Sequence, residues 1–463
     1  MTNYTVVKVS DETNTNLHQA NSCSKEALGE DTTPKPSRPL SRQVSLINRS
    51  SGTSRVQPGS SLYAGTSIDE ITQKFTPSPR KFLSEQTKIA ARQHHKEFMR
   101  LDLTSDLPTM ILEPTKGGNG VSTMKGPGHS SADVQMFGDH CCCRTISSYP
   151  PKPDFHQRMG DPICDRYFVK LYENRIICGL ADGCSWGERA RSAAKKACKA
   201  FVLYMNANQK APKNLQELGR TMLEGFADAH RKILETSNEA VWEAGTTTLN
   251  GSVLLRASPG DLSMKKWIFV SCNLGDCKAF YYSKQTKKVR DITLNTRDNI
   301  QESGDPGGRL GPRGDSKPDL RNLSLFWQYC EEDDYVFIVS DGVYDNCDLR
   351  HQGYLPKDFD LPGDTWDDVD PKKVNNMNCK HVEGQLTKVI RELGDNLVPS
   401  DICVAITDFC LQITENSRQF MVNNPNSRLP KDYTKYPGKV DHTSVVCFRV
   451  GEVSLSYDQW MGK

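Results

Sequence analysis

Apolar residues beyond residue 160 recur in short runs that predict strands. The runs RYFVKLY and RIICGLA predict two strands joined at Glu173 and Asn174. Further strand-like runs are TTTLNGSVLLRA, KWIFVSCNL, KAFYYSK, KKVRDITL and FWQYCEEDDYVFIVSD. The segment SVVCFRVGEVSLSY adds one or two more. The predicted strands therefore come in groups.

Apolar residues at helical spacing predict helices between these groups of strands. In ERARSAAKKACKAFVLYM, one helical face carries Ala193, Ala197, Ala200, Phe201 and Tyr204. A second pattern runs from Leu215 to about Thr236, and a third covers roughly 381 to 416. Because helices come in pairs between groups of strands, the order predicts an α+β fold. In such a fold antiparallel sheets pack face to face and helices cover their outer faces.

The first part of the chain has a different composition. Residues 1 to about 80 are rich in Ser, Thr, Asn and Pro, so they cannot bury enough apolar surface to offset the entropy of ordering. Over 81–100, an isolated or docking helix is predicted from the apolar residues Phe82, Ile89 and Phe98. A glycine-rich stretch follows. The sequence therefore predicts a largely disordered N-terminal region over 1–144 and a folded domain over 145–463.

Two short segments of the N-terminal tail match patterns that kinases recognise. SRQVSL places Arg42 three residues before Ser45, and TPSPRK places Thr76 and Ser78 before prolines. Such patterns also arise by chance in serine-rich tails, and the sequence leaves both interpretations open. On the first interpretation, the tail contacts a kinase or an adaptor protein.

Charge and composition exclude several classes of partner. The chain of 463 residues carries 59 basic and 57 acidic residues, a net charge of +2, which gives no general attraction to nucleic acids or membranes. The segment MTNYTVVKVSDETN lacks the basic and apolar parts of a signal peptide, and no apolar stretch approaches the length of a membrane span. We therefore expect an intracellular protein, cytoplasmic, nuclear or both, with neither a nucleic-acid nor a membrane partner.

Sixteen cysteines are scattered through the strand-like and helix-like runs, as expected for reduced, buried thiols. Cys141, Cys142 and Cys143 form a cluster next to His140. This cluster could bind zinc or respond to oxidants. Adjacent residues are, however, poorly spaced for tetrahedral coordination, which counts against a zinc site.

Four aspartates lie where an apolar run gives way to a turn: Asp165, Asp182, Asp341 and Asp441. A carboxylate in such a position is held by rigid backbone and projects into a cleft, which suits hard divalent cations. Asp182 and Asp341 are each followed by glycine, so the backbone can turn sharply and offer a carbonyl oxygen to the same ion. The alternative is that Asp-Gly marks a surface turn after each strand. Four such positions together favour a metal centre.

Five motifs follow one another over roughly residues 155–452. They are ADG-x-x-x-G with a helix after it, GTTTLNGSVLL, NLGDCKAFYY, VFIVSDGVYDN and DHTSVVCFRV. In this order they resemble the metal-dependent Ser/Thr protein phosphatases of the type-2C (PPM) family. The resemblance implies an αββα sandwich, in which helices flank two antiparallel sheets and two Mn²⁺ or Mg²⁺ ions bind at one end.

The resemblance also assigns roles to individual residues. It implies that Asp182 bridges the two ions and that the carbonyl of Gly183 binds one of them. Asp341 and Asp441 match the aspartate ligands of the other ion. Asp182, Asp341 and Asp441 thereby form the catalytic set, in which a water shared by the two cations loses its proton and attacks phosphorus in line. The resemblance implies no covalent phosphoenzyme and hence no cysteine nucleophile.

Three further carboxylates match positions around this pair of ions. Asp165 matches the aspartate of an early acidic pair that supports the metal site. Asp276 in NLGDC and Asp345 in DGVYD match carboxylates linked to a third, weaker metal position. The resemblance therefore adds all three to the implied metal site.

The chain departs from the family pattern at several positions. Cys164 stands where the family has the glutamate of the early acidic pair, and Gly160 stands where many members carry a phosphate-binding arginine. Arg158 or Arg166 could substitute for that arginine, although neither is in register. Cys184 replaces a histidine that often follows Asp-Gly and is thought to protonate the leaving group.

These matches and departures leave two hypotheses. The first is an active phosphatase that hydrolyses phosphoserine or phosphothreonine in a phosphoprotein substrate. It is favoured because the core aspartates are all retained, although clustered carboxylates repel one another without a cation. The second is a divergent pseudophosphatase, a scaffold or interaction module that has lost catalysis together with the arginine and the glutamate.

Two further expectations concern the surroundings of the site. The stretch at about 347–380 is polar and contains prolines, which predicts a surface insertion near the site. Trp186, beside the first helix, is expected to pack against the sheet and not to line a substrate groove.

Overall fold

The structure is a computed structural model that describes residues 94–100, 103–128, 132–152, 157–235, 243–260, 265–294, 296, 304–313 and 316–454. Within them, the strands of both large sheets pair antiparallel. Residues 1–93 lie outside the described residues, so the disorder predicted for the N-terminal tail stays a prediction.

The first sheet has seven strands within the described residues. They are β1 (Ile111–Leu112), β2 (Ser122–Gly126), β5 (Arg166–Tyr172), β6 (Arg175–Ala181), β7 (Leu249–Ser258), β8 (Lys266–Leu274) and β13 (Ser324–Cys330). Their order is β13–β8–β7–β6–β5–β2, and β1 pairs with β7. The predicted pair of strands around Glu173 and Asn174 is the hairpin of β5 and β6.

The second sheet has six strands within the same residues. They are β3 (Ala132–Phe137), β4 (Cys141–Ser147), β9 (Lys278–Ser283), β10 (Lys288–Asp291), β14 (Tyr335–Val339) and β15 (His442–Arg449). Their order is β10–β9–β14–β15–β4–β3. A separate two-stranded sheet pairs β11 (Arg309–Arg313) with β12 (Lys317–Asp319).

Helices cover the outer faces of both sheets. They are α1 (residues 94–99), α2 (Glu188–Asn208), α3 (Leu215–Leu234), α4 (Asp341–Tyr344), α5 (Pro371–Arg391), α6 (Pro399–Ile413) and α7 (Glu415–Asn423). The side chain of Asn214 caps the start of α3 by accepting a hydrogen bond from the backbone N–H of Glu217 at 2.9 Å. No helix among the described residues has both the length and the apolar character needed to cross a membrane.

Three apolar layers separate these elements. Phe201 of α2 and Phe226 of α3 meet edge to face above the first sheet, with 5.4 Å between ring centroids. Phe269 and Phe448 contribute to the layer between the two sheets. Residues of α5 and α6 form the third layer against the second sheet. The order helix, sheet, sheet, helix is the αββα sandwich, so the predicted fold class is confirmed.

Strand β14 illustrates why its sequence is apolar throughout. Val336 and Ile338 lie in the layer between the sheets, whereas Phe337 and Val339 lie in the layer beneath the helices. Because successive side chains of a strand point to opposite faces, a strand buried on both faces needs apolar residues at every position. Asp341 follows this run after one residue, Ser340.

The folded domain begins earlier than the sequence suggested. Strands β1 to β4 lie within residues 111–147, and β4 pairs along its length with β15. Phe98 of α1 is fully buried in the layer above the first sheet. The predicted boundary at residue 145 was therefore wrong. Of the helix predicted over 81–100, residues 94–99 are helical and residues 81–93 lie outside the described residues.

The cysteine cluster belongs to β4. Cys142 lies in the layer beneath the helices, whereas Cys141 and Cys143 lie in the layer between the sheets. The alternation of a strand thus sends adjacent thiols to opposite faces, and the three cannot converge on one zinc ion. They are buried, unbridged thiols, as the composition predicted.

The predicted insertion at about 347–380 has a small apolar core of its own. It contains 3₁₀ turns at Pro356–Phe359 and Trp366–Asp368 and the first turns of α5. Its buried apolar residues are Leu349, Trp366, Val369 and Val374. The helical pattern predicted at roughly 381 to 416 corresponds to two helices, because α5 begins at Pro371 and ends at Arg391 before α6.

Candidate functional site

Strand ends from both sheets meet at one cleft. Asp182 follows β6 of the first sheet, while Asp341 follows β14 and Asp441 precedes β15 in the second sheet. Because β14 and β15 are antiparallel neighbours, with Val339 opposite Val445, the end of one strand lies beside the start of the other. Strand pairing therefore brings together two aspartates that are far apart in the sequence.

The cleft has a volume of about 370 Å³ and an acidic wall. The predicted metal-site residues that line it are Asp182, Gly183, Asp276, Asp341 and Asp441. The remaining two, Asp165 and Asp345, are fully buried beside it. The fold thus collects all of these predicted residues in one region.

The carboxylates of the cleft interact electrostatically. Burial raises the pKa of Asp182 well above its usual range, and the charge of Asp341, followed by those of Asp165 and Asp441, raises it further. Burial also raises the pKa of Asp441, against the opposing effect of the Lys439 ammonium. Carboxylates in this arrangement favour a cation among them, because a cation offsets their mutual repulsion.

Asp165 is the most isolated of these carboxylates. Its side chain is fully buried, and neither of its oxygens has a hydrogen-bond partner within the described part of the chain. Buried carboxylate oxygens are normally satisfied by donors or by a cation, so this side chain is a candidate support for an ion or for water bound to one. Its charge reaches the cleft through its effect on the pKa of Asp182.

The glycines after Asp182 and Asp341 are required by close packing. A Cβ at Gly183 would lie 2.6 Å from the carbonyl oxygen of Ala190 in α2. A Cβ at Gly342 would lie 2.0 Å from the carbonyl oxygen of His442. Each Asp-Gly pair is therefore locked against a neighbouring backbone and is not a surface turn.

Lys439 was not among the predicted site residues, yet its ammonium contacts three of the predicted carboxylates. Its ammonium donates a hydrogen bond to Oδ2 of Asp341 and lies 2.9 Å from Oδ2 of Asp345 and 3.0 Å from Oδ2 of Asp441. In the sequence, Lys439 precedes Asp441 by two positions. That proximity is a weak signal, because a basic residue close to an aspartate in the sequence is common on solvated surfaces.

The arginines proposed for phosphate binding do not line the cleft. Arg158 donates a hydrogen bond to the carbonyl of Tyr149 at 2.7 Å, and Arg166 donates one to the carbonyl of Asp165 at 2.7 Å. Arg309 of β11 lines the cleft instead, and its buried Nε has no hydrogen-bond partner within the described part of the chain. Sequence reasoning missed Arg309 because it lies in the glycine-rich segment GGRLGPR, outside the five motifs that carry the family resemblance.

Burial disfavours ionisation of the two cysteines that stand where the family pattern has a glutamate and a histidine. Burial raises the pKa of Cys164 to about 11, and its backbone N–H donates a hydrogen bond to Nδ1 of His442 at 3.3 Å. Burial raises the pKa of Cys184 to about 12, and the charge of Asp276 adds to this effect. Neither cysteine supplies a carboxylate or an imidazole, so the departures from the family pattern are real differences in chemistry.

An aromatic pair forms part of the cleft wall. Trp186 is 66% exposed, and its indole N–H donates a hydrogen bond to the hydroxyl of Tyr149 at 3.1 Å. The ring of Tyr149 meets the rings of Trp186 and His442 edge to face. Trp186 therefore lines the cleft, and the expectation that it packs against the sheet was wrong.

A second polar cluster continues inward from the cleft. Ligand atoms of Asp345, Asp348 and His351 lie within 4.8 Å of one another, and all three residues are buried. Nδ1 of His351 lies 2.7 Å from Oδ2 of Asp348. Burial disfavours protonation of His351, but the charge and hydrogen bond of Asp348 outweigh burial and raise its pKa. Asp345 thus connects the cleft to a buried aspartate–histidine pair.

The chain is similar to a curated protein over part of its sequence and to several solved structures. No family model matches the chain. Over 212 residues, 44% of the chain, the sequence is 31% identical to the PP2C-like domain-containing protein CG9801 of Drosophila melanogaster. The chain spans 28% of the length of this relative. The resemblance to type-2C phosphatases drawn from the motifs is therefore confirmed by a relative described in the same terms.

Solved phosphatases align with a larger share of the chain at low identity. The photosystem II phosphatase PBCP covers 72% of the chain and 100% of its own length, at 12% identity and a TM-score of 0.38. The S. agalactiae serine/threonine phosphatase covers 67% and 100%, at 13% identity and a TM-score of 0.36. The catalytic domain of PstP, solved with two manganese ions, covers 70% and 100%, at 11% identity and a TM-score of 0.35.

Proposed function

We propose that the chain is a phosphoprotein phosphatase that hydrolyses phosphoserine or phosphothreonine with the help of divalent cations. The observation that carries the proposal is the convergence of Asp182, Asp341 and Asp441 from two sheets on one cleft. Repelling carboxylates in a cleft favour hard cations, and such cations in turn attract phosphate. The similarity of part of the chain to a PP2C-like domain protein supports the same activity.

The residues around Asp182 fit a hard cation such as Mn²⁺ or Mg²⁺. Asp182 supplies a carboxylate, Gly183 supplies a backbone carbonyl, and Asp165 supplies two buried oxygens without a hydrogen-bond partner among the described residues. A divalent ion bound there would lower the pKa of a water molecule and offset the charge that develops on the phosphate. Oxygen ligands of this kind suit both ions.

Arg309 is the residue we assign to binding the substrate phosphate. Its guanidinium lines the cleft, and its buried Nε is unpaired within the described part of the chain. A guanidinium can donate two parallel hydrogen bonds to phosphate oxygens, which fixes the orientation of the phosphate as well as its position. In this proposal Arg309 performs the task that the family resemblance assigned to an arginine at position 160.

The state of the cleft thiol supports attack by water and not by cysteine. The pKa of Cys184 is raised to about 12 by burial and by the charge of Asp276, so this thiol is protonated near neutral pH. A protonated thiol is a weak nucleophile. The exposed face of Trp186 offers an apolar contact to residues that flank the phosphorylated side chain, which supports a peptide or protein substrate.

Two observations favour a second candidate function, a pseudophosphatase that binds proteins without hydrolysis. The Lys439 ammonium contacts Asp341, Asp345 and Asp441, which on the family pattern would bind cations. Cys164 and Gly160 lack the carboxylate and the guanidinium that the pattern expects. A chain in which a lysine has displaced every cation would retain the fold without the chemistry.

Phosphate release from a phosphothreonine peptide by the full chain, with and without Mn²⁺, separates the two functions. We expect release that depends on Mn²⁺ and falls roughly 100-fold or more in Asp182→Asn, because the cation supplies several kcal/mol of transition-state stabilisation. Asp364→Asn, at an exposed aspartate of the insertion, is the matched control and should keep the wild-type rate. A folded protein that binds Mn²⁺ without releasing phosphate would favour the pseudophosphatase.

A further inference from the structure

We infer that the Lys439 ammonium stands in for a cation between Asp341, Asp345 and Asp441, so that the cleft binds one divalent ion, beside Asp182, instead of two. The inference refines the proposed function and takes from it only the premise that the cleft binds divalent cations. It predicts a count of bound ions, which can be measured without any turnover.

The contacts of Lys439 resemble the coordination of a small cation. The ammonium reaches one oxygen of each carboxylate: it donates a hydrogen bond to Asp341 and lies 2.9 Å from Asp345 and 3.0 Å from Asp441. A lysine ammonium has three N–H donors and no acceptor, so three carboxylates can take all of them. The positive charge therefore lies close to three carboxylate oxygens, one from each aspartate.

Burial makes this arrangement electrostatically important. The side chains of Asp345 and Asp341 are 0% and 9% exposed, and that of Lys439 is 22% exposed. Carboxylates so far from water need a counter-charge, because an unpaired buried charge is strongly destabilising. Lys439 supplies that counter-charge from within the chain.

The backbone holds Lys439 in this place. Its N–H donates a hydrogen bond to Oδ1 of Asn346 at 2.9 Å, and its carbonyl accepts one from Nδ2 of Asn346 at 3.0 Å. Nδ2 of Asn346 also donates to the carbonyl of Gly342 at 2.7 Å, and Asn346 itself is fully buried. The lysine is thereby tied to the short segment that carries Asp341 and Asp345.

A second divalent ion would compete directly with this ammonium. An ion bound to the same oxygens of Asp341 and Asp441 would lie within about 4 Å of Nζ, where two positive charges repel strongly. Asp182 and Gly183, by contrast, follow a strand of the first sheet, and the oxygens of Asp165, which have no hydrogen-bond partner among the described residues, interact electrostatically with Asp182. The position beside Asp182 and Gly183, which Lys439 does not occupy, therefore remains suitable for one ion.

Counting bound Mn²⁺ in the full chain by equilibrium dialysis or calorimetry tests the inference. We expect one ion in the wild type, two in Lys439→Met and one in the control Lys435→Met, which removes an exposed lysine of the same loop. Two ions in the wild type, none in the wild type, or one in Lys439→Met would each overturn the inference. The wild-type count needs no variant, so a Lys439→Met protein that failed to fold would still leave a decisive result.

Thermal unfolding gives a second measurement that does not involve turnover. In EDTA, Lys439→Met should unfold at a lower temperature than Lys435→Met, because three carboxylates lose their counter-charge. Mn²⁺ should raise the midpoint of Lys439→Met by more than it raises that of the wild type, because a second ion binds only in the variant. Equal shifts in the two proteins would contradict the inference.

The ion count tests the role of Lys439, the phosphatase assay tests the proposed activity, and either claim can be rejected without the other. One bound ion without phosphate release would reject the proposed phosphatase and leave the role of Lys439 intact. Two bound ions with release that depends on Mn²⁺ would reject the role of Lys439 and leave the phosphatase intact.

Discussion

The ring of Tyr149 packs directly against the backbone of Gly160, so that a Cβ at Gly160 would lie 2.5 Å from Cδ2 of that ring. Gly160 also has a φ of +80°, a conformation in which residues with a side chain are strained. Two separate constraints thus exclude the arginine that the family resemblance expects at this position. The absence of an arginine at position 160 is therefore linked to the way in which the wall of the cleft packs.

We therefore expect Gly160→Ala and Gly160→Arg to be destabilised by about 1–3 kcal/mol or more, from backbone strain together with the clash with Tyr149. Chemical denaturation measures the change in the free energy of unfolding. Gly128→Ala is the control, since a Cβ at Gly128 meets no atom within 4 Å. Gly160→Arg should not raise phosphate release, and a variant with wild-type stability and higher activity would contradict the packing argument.

Arg309 allows a test of phosphate binding. Replacing it with methionine should lower kcat/KM for a phosphopeptide about 10- to 100-fold, because a hydrogen bond to a charged group contributes about 1.5–3 kcal/mol. Arg309→Lys should recover part of the loss, since it keeps the charge but not the paired donors. Arg313→Met on the same strand, whose guanidinium pairs with Asp319 at 2.7 Å, is the control. Equal losses in Arg309→Met and Arg313→Met would rule out a specific role for Arg309.

The buried ion pair of Lys278 and Asp291 should dominate the stability of one edge of the second sheet. Their charged atoms are 3.0 Å apart and their side chains are 2% and 1% exposed. Lys278→Met leaves a buried carboxylate unpaired, and we expect a loss of about 3–5 kcal/mol in the free energy of unfolding. Lys287→Met breaks an exposed pair with Asp395 and should cost about 1 kcal/mol or less. Similar losses in the two variants, measured by urea unfolding, would contradict this ranking.

His230 should make the protein sensitive to mild acid. Burial lowers the pKa of His230 to about 3, and the neighbouring His94 ring adds to this effect. The N–H of Gly311 donates a hydrogen bond to Nδ1 at 3.1 Å, so Nδ1 is the acceptor of a neutral ring. The unfolded chain, with a pKa of about 6.5, binds more protons, so stability is lost as the pH falls from about 6.5 towards 3.

Substitution of His230 by glutamine, which does not titrate, isolates this contribution. The free energy of unfolding of the wild type should fall by up to about 1.4 kcal/mol per pH unit more steeply than that of His230→Gln within this window. Urea unfolding at several pH values between 7 and 4 measures the two slopes. Parallel pH profiles for the two proteins would show that His230 does not carry the effect.

Much of the fold could be predicted because its central strands are buried on both faces. Runs such as YVFIV leave no polar position, so both the strand and the aspartate at its end are visible in the sequence. Strands β2 and β3 were not predicted, because they lie at the edges of the sheets, where apolar and polar positions are mixed. In β3, for example, the side chains of Val134 and Met136 are 46% and 61% exposed. Edge strands carry a weaker hydrophobic signal than central ones.

Lys439 and Arg309 were not predicted as site residues for a different reason. Lys439 and Arg309 reach the cleft only through long-range packing: the first is anchored by Asn346, and the second lies on the separate pair of strands β11 and β12. A basic residue near an aspartate in the sequence usually signals only a solvated surface. Its role among the carboxylates follows from three-dimensional contacts that no local pattern encodes.

The position of β4 also bears on how this protein can be shortened. A fragment that starts at residue 145 would lose all of β3 and most of β4, so that most of the backbone groups of β15 that pair with β4 would lose their partners, while the pairing of β15 with β14 would remain. Such an open, apolar edge invites pairing with other molecules. Truncation at residue 145 should therefore give aggregated protein. A fragment that starts before α1 keeps both sheets, so that a loss of activity in it can be assigned to the chemistry of the site and not to misfolding.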